Sequence, residues 1–163
     1  MILAAAIRPD EWDFPLFVHV LGAMVLVGSL VVAAWFLFAS RRGDTLEGVR
    51  WGWRTLLFAA LPAYIVMRVG AEWILSKEHL ENADLTWIGI GFITSDAGAI
   101  LLLVALVAAG VAVRRAGRAR AAAVTAGTGS AAGGRGAAIA AWATSLLIVA
   151  YLVAIWAMAT KPV

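Results

Sequence analysis

The chain has 163 residues, 63% of them hydrophobic and 14% charged, with a formal net charge of +3 and no cysteine. A soluble domain averages about 45–50% apolar and about 25% charged residues, and a mean hydropathy of +0.91 is more than a core of this size hides from water. Lipid is the missing solvent, which excludes a soluble enzyme and a disordered chain, while the missing thiols exclude disulfides, thiolate nucleophiles and iron–sulfur ligation.

Residues Met1 to Asp13 read as a short lead on the outer surface, with Trp12 at the interface. No basic stretch precedes the first apolar residues and Arg8-Pro9-Asp10 follows at once, so a cleaved signal peptide is not expected. A membrane crossing takes about 20 apolar helical residues, and four stretches qualify. The first runs from Phe14 to Ala39 and ends against Arg41 and Arg42. The second, Trp51 to Leu75, contains Arg54, Arg68 and Glu72, and Pro62 near its middle is expected to kink it.

The connection from Ser76 to Thr94 begins polar and turns apolar again at LTWIGIGFITSD. That apolar part is too short to span, so it is expected in the interface or folded over the bundle. Thr94-Ser95-Asp96 resembles a helix start, with a capping hydroxyl and a first-turn acid. The third span runs from Ser95 to Val113 and the fourth from Ala137 to Ala159. Between them residues 116–136, rich in Ala, Gly, Ser and Thr, are expected to form a mobile cytoplasmic linker.

The expected fold is therefore all-α: one transmembrane domain, residues 1–163, built as a four-helix bundle with an interfacial segment between helices two and three. Basic residues set the orientation. Arg41, Arg42, Arg50 and Arg54 flank the first connection, and Arg114, Arg115, Arg118, Arg120 and Arg135 the third, against Arg8, Lys77 and Lys161 on the opposite side. Cytoplasmic loops carry the Lys/Arg excess, so both termini face outward. The same rule accounts for the sequence pI of about 10.0 without invoking nucleic acid. Of the eight tryptophans, those near span ends, including Trp51, Trp73, Trp87 and Trp156, are read as interfacial anchors. The Ala- and Arg-rich composition suits a bacterial cytoplasmic membrane.

Ionisable groups inside spans are costly; by default they face the bundle interior and mark function. At about 1.5 Å per residue, His19 lies roughly 11 Å above the midplane, Arg68 and Glu72 roughly 8 and 13 Å, and Asp96 about 12 Å. Three helices thus put such groups at nearly one outer level. His19, Gly22, Leu26, Ser29 and Ala33 form a stripe of small or polar residues, expected to face partner helices. Leu57, Leu61, Tyr64, Arg68 and Glu72 share a face of span two, and Thr144, Ile148, Tyr151 and Ile155 share one of span four. A ladder from Tyr64 and Tyr151 up to His19, Arg68, Glu72 and Asp96 is geometrically possible.

Each residue also has a plainer role. Arg68 and Glu72 can neutralise each other at i,i+4 with the arginine snorkelling outward. Asp96 can answer a helix dipole, His19 can make an interhelical hydrogen bond, and His79 can simply be solvated.

Read jointly, the cluster points to a non-catalytic ligand site at the outer leaflet. His19, Glu72, Asp96 and His79 offer imidazole and carboxylate donors suited to a divalent metal. Arg68 speaks for an anionic group, such as a lipid head group or a haem propionate. His19, with Met24 or Met67 as second axial ligand, is the available set for a b-type haem, beside Arg68, Tyr64 and Tyr151. No Gly-x-Ser-x-Gly, HExxH or phosphate-binding glycine loop occurs, so an enzyme is not expected. Two other readings stay open: an accessory or assembly subunit whose small-residue stripes dock other membrane subunits, and a small ion or proton carrier.

The segment Phe17 to Gly28, FVHVLGAMVLVG, resembles the first helix of small bacterial membrane families, the copper-resistance CopD-like proteins and the four-helix proteins of the DUF2269 type. The shared pattern is a histidine followed by Leu-Gly and, six residues on, a second glycine: His19, Leu21, Gly22 and Gly28. The resemblance covers about a dozen residues and implies a metal or haem ligand at His19; only His19 carries over.

Overall fold

The computed structural model describes residues 13–43, 46–78, 86–127 and 134–160, and every element among them is helical. In chain order these are α1 (Asp13–Gly43), α2 (Leu46–Thr55), a π-helical turn (Leu56–Ala60), α3 (Leu61–Glu78), α4 (Thr86–Ala126) and α5 (Gly134–Thr160). The π turn joins α2 to α3 without a break, so the described residues make four rods, each long and apolar enough to cross a membrane. In hydrocarbon a backbone has no water to bond, and a helix satisfies every amide internally.

α1 packs along the second rod on one side and α5 on the other, while α4 lies against α5 and against α2. α3 and α4 barely touch. The second and third rods therefore meet at the end carrying Arg41 and part at the other.

The core is made of Leu26, Leu30, Leu37, Leu56, Leu102 and Leu147 set among fully buried alanines such as Ala33, Ala60, Ala105 and Ala140. Small residues let helices approach without a hydrophobic drive between them in lipid. The closest approach joins α1 to α3. A Cβ on Gly22 would lie 2.6 Å from the Met67 amide nitrogen, and one on Gly70 2.7 Å from that of His19. The α1 stripe from Gly22 through Leu26 and Ser29 to Ala33 is buried as expected, whereas Gly28 is exposed with nothing near it. Phe17, Met24, Trp35, Phe58, Ile93, Val107 and Leu146 point outward, an apolar girdle suited to acyl chains.

The helices reach beyond the expected spans. α4 begins by Thr86, so the apolar stretch read as an interfacial segment forms the first turns of the third rod. The stretch is too short to span alone, but it is continuous with the helix that follows, which runs unbroken through Gly89 and Gly91. Thr94 and Ser95 are consequently mid-helix, and Asp96 is no first-turn acid. At its far end α4 runs to Ala126 through residues assigned to the linker, because Ala and Arg are strong helix formers; Gly127, at φ 66°, ends it in the left-handed position that glycine tolerates. With 41 residues, α4 is about 60 Å long, twice the hydrocarbon thickness of about 30 Å. The second rod likewise starts at Leu46, where α2 buries Leu46, Val49 and Gly52 and exposes Glu47, Arg50 and Arg54.

Pro62 acts through the turn before it. Proline lacks an amide hydrogen and its ring crowds the carbonyl four residues back. The preceding turn widens to the π form, in which the Leu61 amide donates to the Leu56 carbonyl. Such widened turns are frequent beside functional sites, and this one sits just before Tyr64.

Candidate functional site

Arg68 bridges the parted rods. Its Nη2 lies 3.0 Å from Glu72 Oε1 on its own helix and 3.3 Å from Asp96 Oδ1 on α4. The guanidinium carbon stands 4.7 Å from the centre of the Phe92 ring, so the cation is also held over an aromatic face. One turn below, the Tyr64 hydroxyl donates to the Ser95 carbonyl at 3.3 Å. On α3 the spacing of Tyr64, Arg68 and Glu72 keeps them on one face; on α4 Phe92, Ser95 and Asp96 do the same. The seam is thus closed by polar side chains rather than by apolar packing. The Arg68 side chain is 27% exposed, Glu72 50% and Asp96 66%. Its formal charge is −1, two carboxylates against one guanidinium, so Arg68 is already neutralised.

Along the same stretch of α4 two buried hydroxyls have no partner, Ser95 Oγ and Tyr151 OH, in residues 8% and 6% exposed. Tyr151 reaches in from α5 and its hydroxyl rests on Gly98, where a Cβ would lie 2.5 Å from the oxygen. Gly98 is one turn beyond Ser95, which brings the Tyr64, Ser95 and Tyr151 hydroxyls to successive turns of α4. Other buried hydroxyls are quenched by their own helix: Ser29 donates to the Val25 carbonyl at 2.6 Å, Ser40 to that of Leu37 at 2.8 Å and Thr144 to that of Ala140 at 2.7 Å. Leaving a buried hydroxyl unpaired costs about 1–3 kcal/mol. Tyr151→Phe is therefore expected to be neutral or stabilising by up to about 1 kcal/mol in ligand-free detergent solution, whereas Tyr64→Phe loses about 0.5–1.5 kcal/mol. Thermal unfolding followed by circular dichroism compares the two; equal losses would mean that Tyr151 has a partner after all.

His19 stands apart. Its Nδ1 is 2.9 Å from the Met67 carbonyl, and since a carbonyl only accepts, Nδ1 carries the proton and Nε2 is the basic atom. Met67 and Gly70, against which His19 packs, lie round α3 from Arg68; at 100° per residue, Gly70 is about 200° away from it. The second rod hence separates His19 from the ion triad, and the expected convergence of three helices reduces to α3 and α4 meeting through Arg68 and Asp96, with α5 supplying Tyr151.

The metal set is not assembled among the described residues, where no group of three or more His, Cys, Asp and Glu side chains comes close enough to hold an ion. Glu72 and Asp96 converge on Arg68 instead, and His79 lies outside the described residues. A haem on His19 finds no space between α1 and α3, which approach too closely there for even one added methyl group. Met24 points outward and Met67 offers His19 its backbone carbonyl. Among the described residues, neither ligand set is assembled.

Spacing alone identified the Arg68–Glu72 pair. It missed Phe92, because the third helix was started too late; a helix drawn from Thr86 puts Phe92 on the face that carries Asp96. Ser95 and Gly98 lay inside the expected span, but their contacts come from Tyr64 and Tyr151 on other helices. No protein-family model matches the sequence, and comparison with curated proteins and with solved structures finds no similar one.

Proposed function

We propose that the chain is a non-catalytic multi-pass protein of a bacterial cytoplasmic membrane, with both termini outside, whose α3–α4 seam binds a lipid head group. The basic residues at the Arg41 end support the orientation. The observation that carries the site is the pair of buried, unpartnered hydroxyls of Ser95 and Tyr151 along the stretch of α4 whose Asp96 joins the Arg68 ion triad. Unmet buried polar groups call for a partner, and among the described residues these two hydroxyls have none. With little apolar packing between α3 and α4, a head group has only the polar side chains of the seam to displace. Because Arg68 is neutralised and one carboxylate is in surplus, the head group that fits is cationic and rich in donors, as the ammonium of phosphatidylethanolamine is.

Native mass spectrometry on the purified protein with equimolar phosphatidylethanolamine, phosphatidylcholine and phosphatidylglycerol tests this reading. The wild type is expected to retain phosphatidylethanolamine preferentially, and Asp96→Asn with Glu72→Gln to cut that retention about tenfold, the loss of a charge-assisted hydrogen bond. An absence of preference in the wild type, or its survival in the double variant, removes the proposal. A stoichiometric haem or metal in the purified protein, seen by its absorption spectrum and metal analysis, would replace it.

A further inference from the structure

At the opposite end of the bundle, the C-terminal turn of α1 and the first turn of α5 border a shallow, open cleft of about 320 Å³ lined by Arg41, Gly134, Arg135 and Ala138. Ligand clefts run from roughly 300 to 1,000 Å³, so this one suits a small head. Arg41 stands 6.0 Å from the centre of the Phe38 ring. Phe38 in turn meets Trp142 edge to face, with centroids 6.0 Å apart, so the guanidinium rests on an aromatic ledge shared by α1 and α5. Unlike Arg68, neither arginine has a carboxylate partner among the described residues, whose ion pairs are those of Arg50 with Glu47 and of Arg68. Two guanidinia with no carboxylate partner among the described residues thus line one cleft from different helices, a setting that favours an anion between them.

We infer that this cleft binds the phosphate group of an anionic phospholipid. The planar guanidinium fork matches phosphate oxygens in pairs, where a lysine would act only as a point charge. The first amides of α5, unpaired within their helix, add donors at the same mouth. Free phosphate shares that chemistry. The surroundings select the lipid: Ile139 and Trp142 are exposed on α5 just beyond the cleft and provide an apolar wall for acyl chains. Basic pockets between membrane helices are the usual seats of acidic head groups. This site is independent of the α3–α4 seam and prefers the opposite head-group charge.

Purified protein offered equimolar phosphatidylglycerol and phosphatidylcholine, read by native mass spectrometry, is expected to retain phosphatidylglycerol at least about tenfold better, from two interfacial arginines. Arg41→Gln with Arg135→Gln abolishes that preference, while Arg118→Gln, an exposed arginine outside the cleft, keeps it. The double variant's circular dichroism and unfolding temperature establish that it is folded. A wild type without preference, or a double variant that retains it, overturns the proposal. Stabilisation of the wild type by inorganic phosphate alone, with no phosphatidylglycerol retained, would overturn the lipid assignment.

Discussion

Arg68→Met is expected to destabilise the protein by about 2 kcal/mol, between the small loss typical of an exposed pair and the 3–5 kcal/mol of a buried one. The intermediate figure follows from the geometry: the guanidinium is mostly covered while its two carboxylates are at least half exposed. Removing the cation leaves Glu72 and Asp96 facing each other across the seam with nothing between them, and the Phe92 ring loses the charge above it. The penalty therefore lies in stranded like charges rather than in a lost bond. Combining Arg68→Met with Glu72→Gln and Asp96→Asn is expected to restore most of the stability, since neutral groups of the same shape no longer repel. Thermal unfolding of the single and triple variants in the same detergent decides the matter. A triple variant as unstable as the single one would show that Arg68 acts by packing, and that the seam is not an electrostatic device.

Gly22→Leu and Gly70→Leu should each cost about 3 kcal/mol, the upper range for overpacking a tight contact. At both glycines the first added carbon meets backbone atoms of the facing helix at under 3 Å, and backbone, unlike a flexible side chain, cannot turn aside. α1 and α3 must move apart, which stretches the His19–Met67 hydrogen bond. Gly28→Leu provides the control: it sits on the same helix in open space, so its effect should stay within about 0.5 kcal/mol. Loss of stability at Gly28 equal to that at Gly22 would assign the effect to helix propensity or micelle contacts. The imidazole nitrogen resonances of His19 give a second readout, since opening the contact releases the tautomer that the Met67 carbonyl holds.

These two experiments probe opposite sides of one rod, and their independence matters for function. If the Arg68 seam and the His19 contact are separate, Gly22→Leu lowers stability without altering which head group the seam prefers. The cleft at Arg41 and Arg135 is separate again, at the other end of the bundle. A chain this small thus presents three polar features: one structural, at His19, and two with unmet valence.

The amino-acid sequence by itself determined how many rods there are and which residues share a face within each. Those properties depend on hydropathy and on a fixed helical repeat, so the Arg68–Glu72 pair and the buried stripe through Leu26 and Ala33 could be read from spacing alone. Helix limits were less legible, because hydropathy marks only the apolar part of a rod, whereas helix-forming alanine and arginine carry α4 on to Ala126 and an apolar stretch before Ser95 extends it back to Thr86. The tertiary structure decided how the rods are rotated against one another. That rotation is set by close glycine contacts between rods, and no intrahelical repeat encodes it. It is what turned His19 toward Met67, joined Asp96 to Arg68, and left the buried hydroxyls of Ser95 and Tyr151 without a partner.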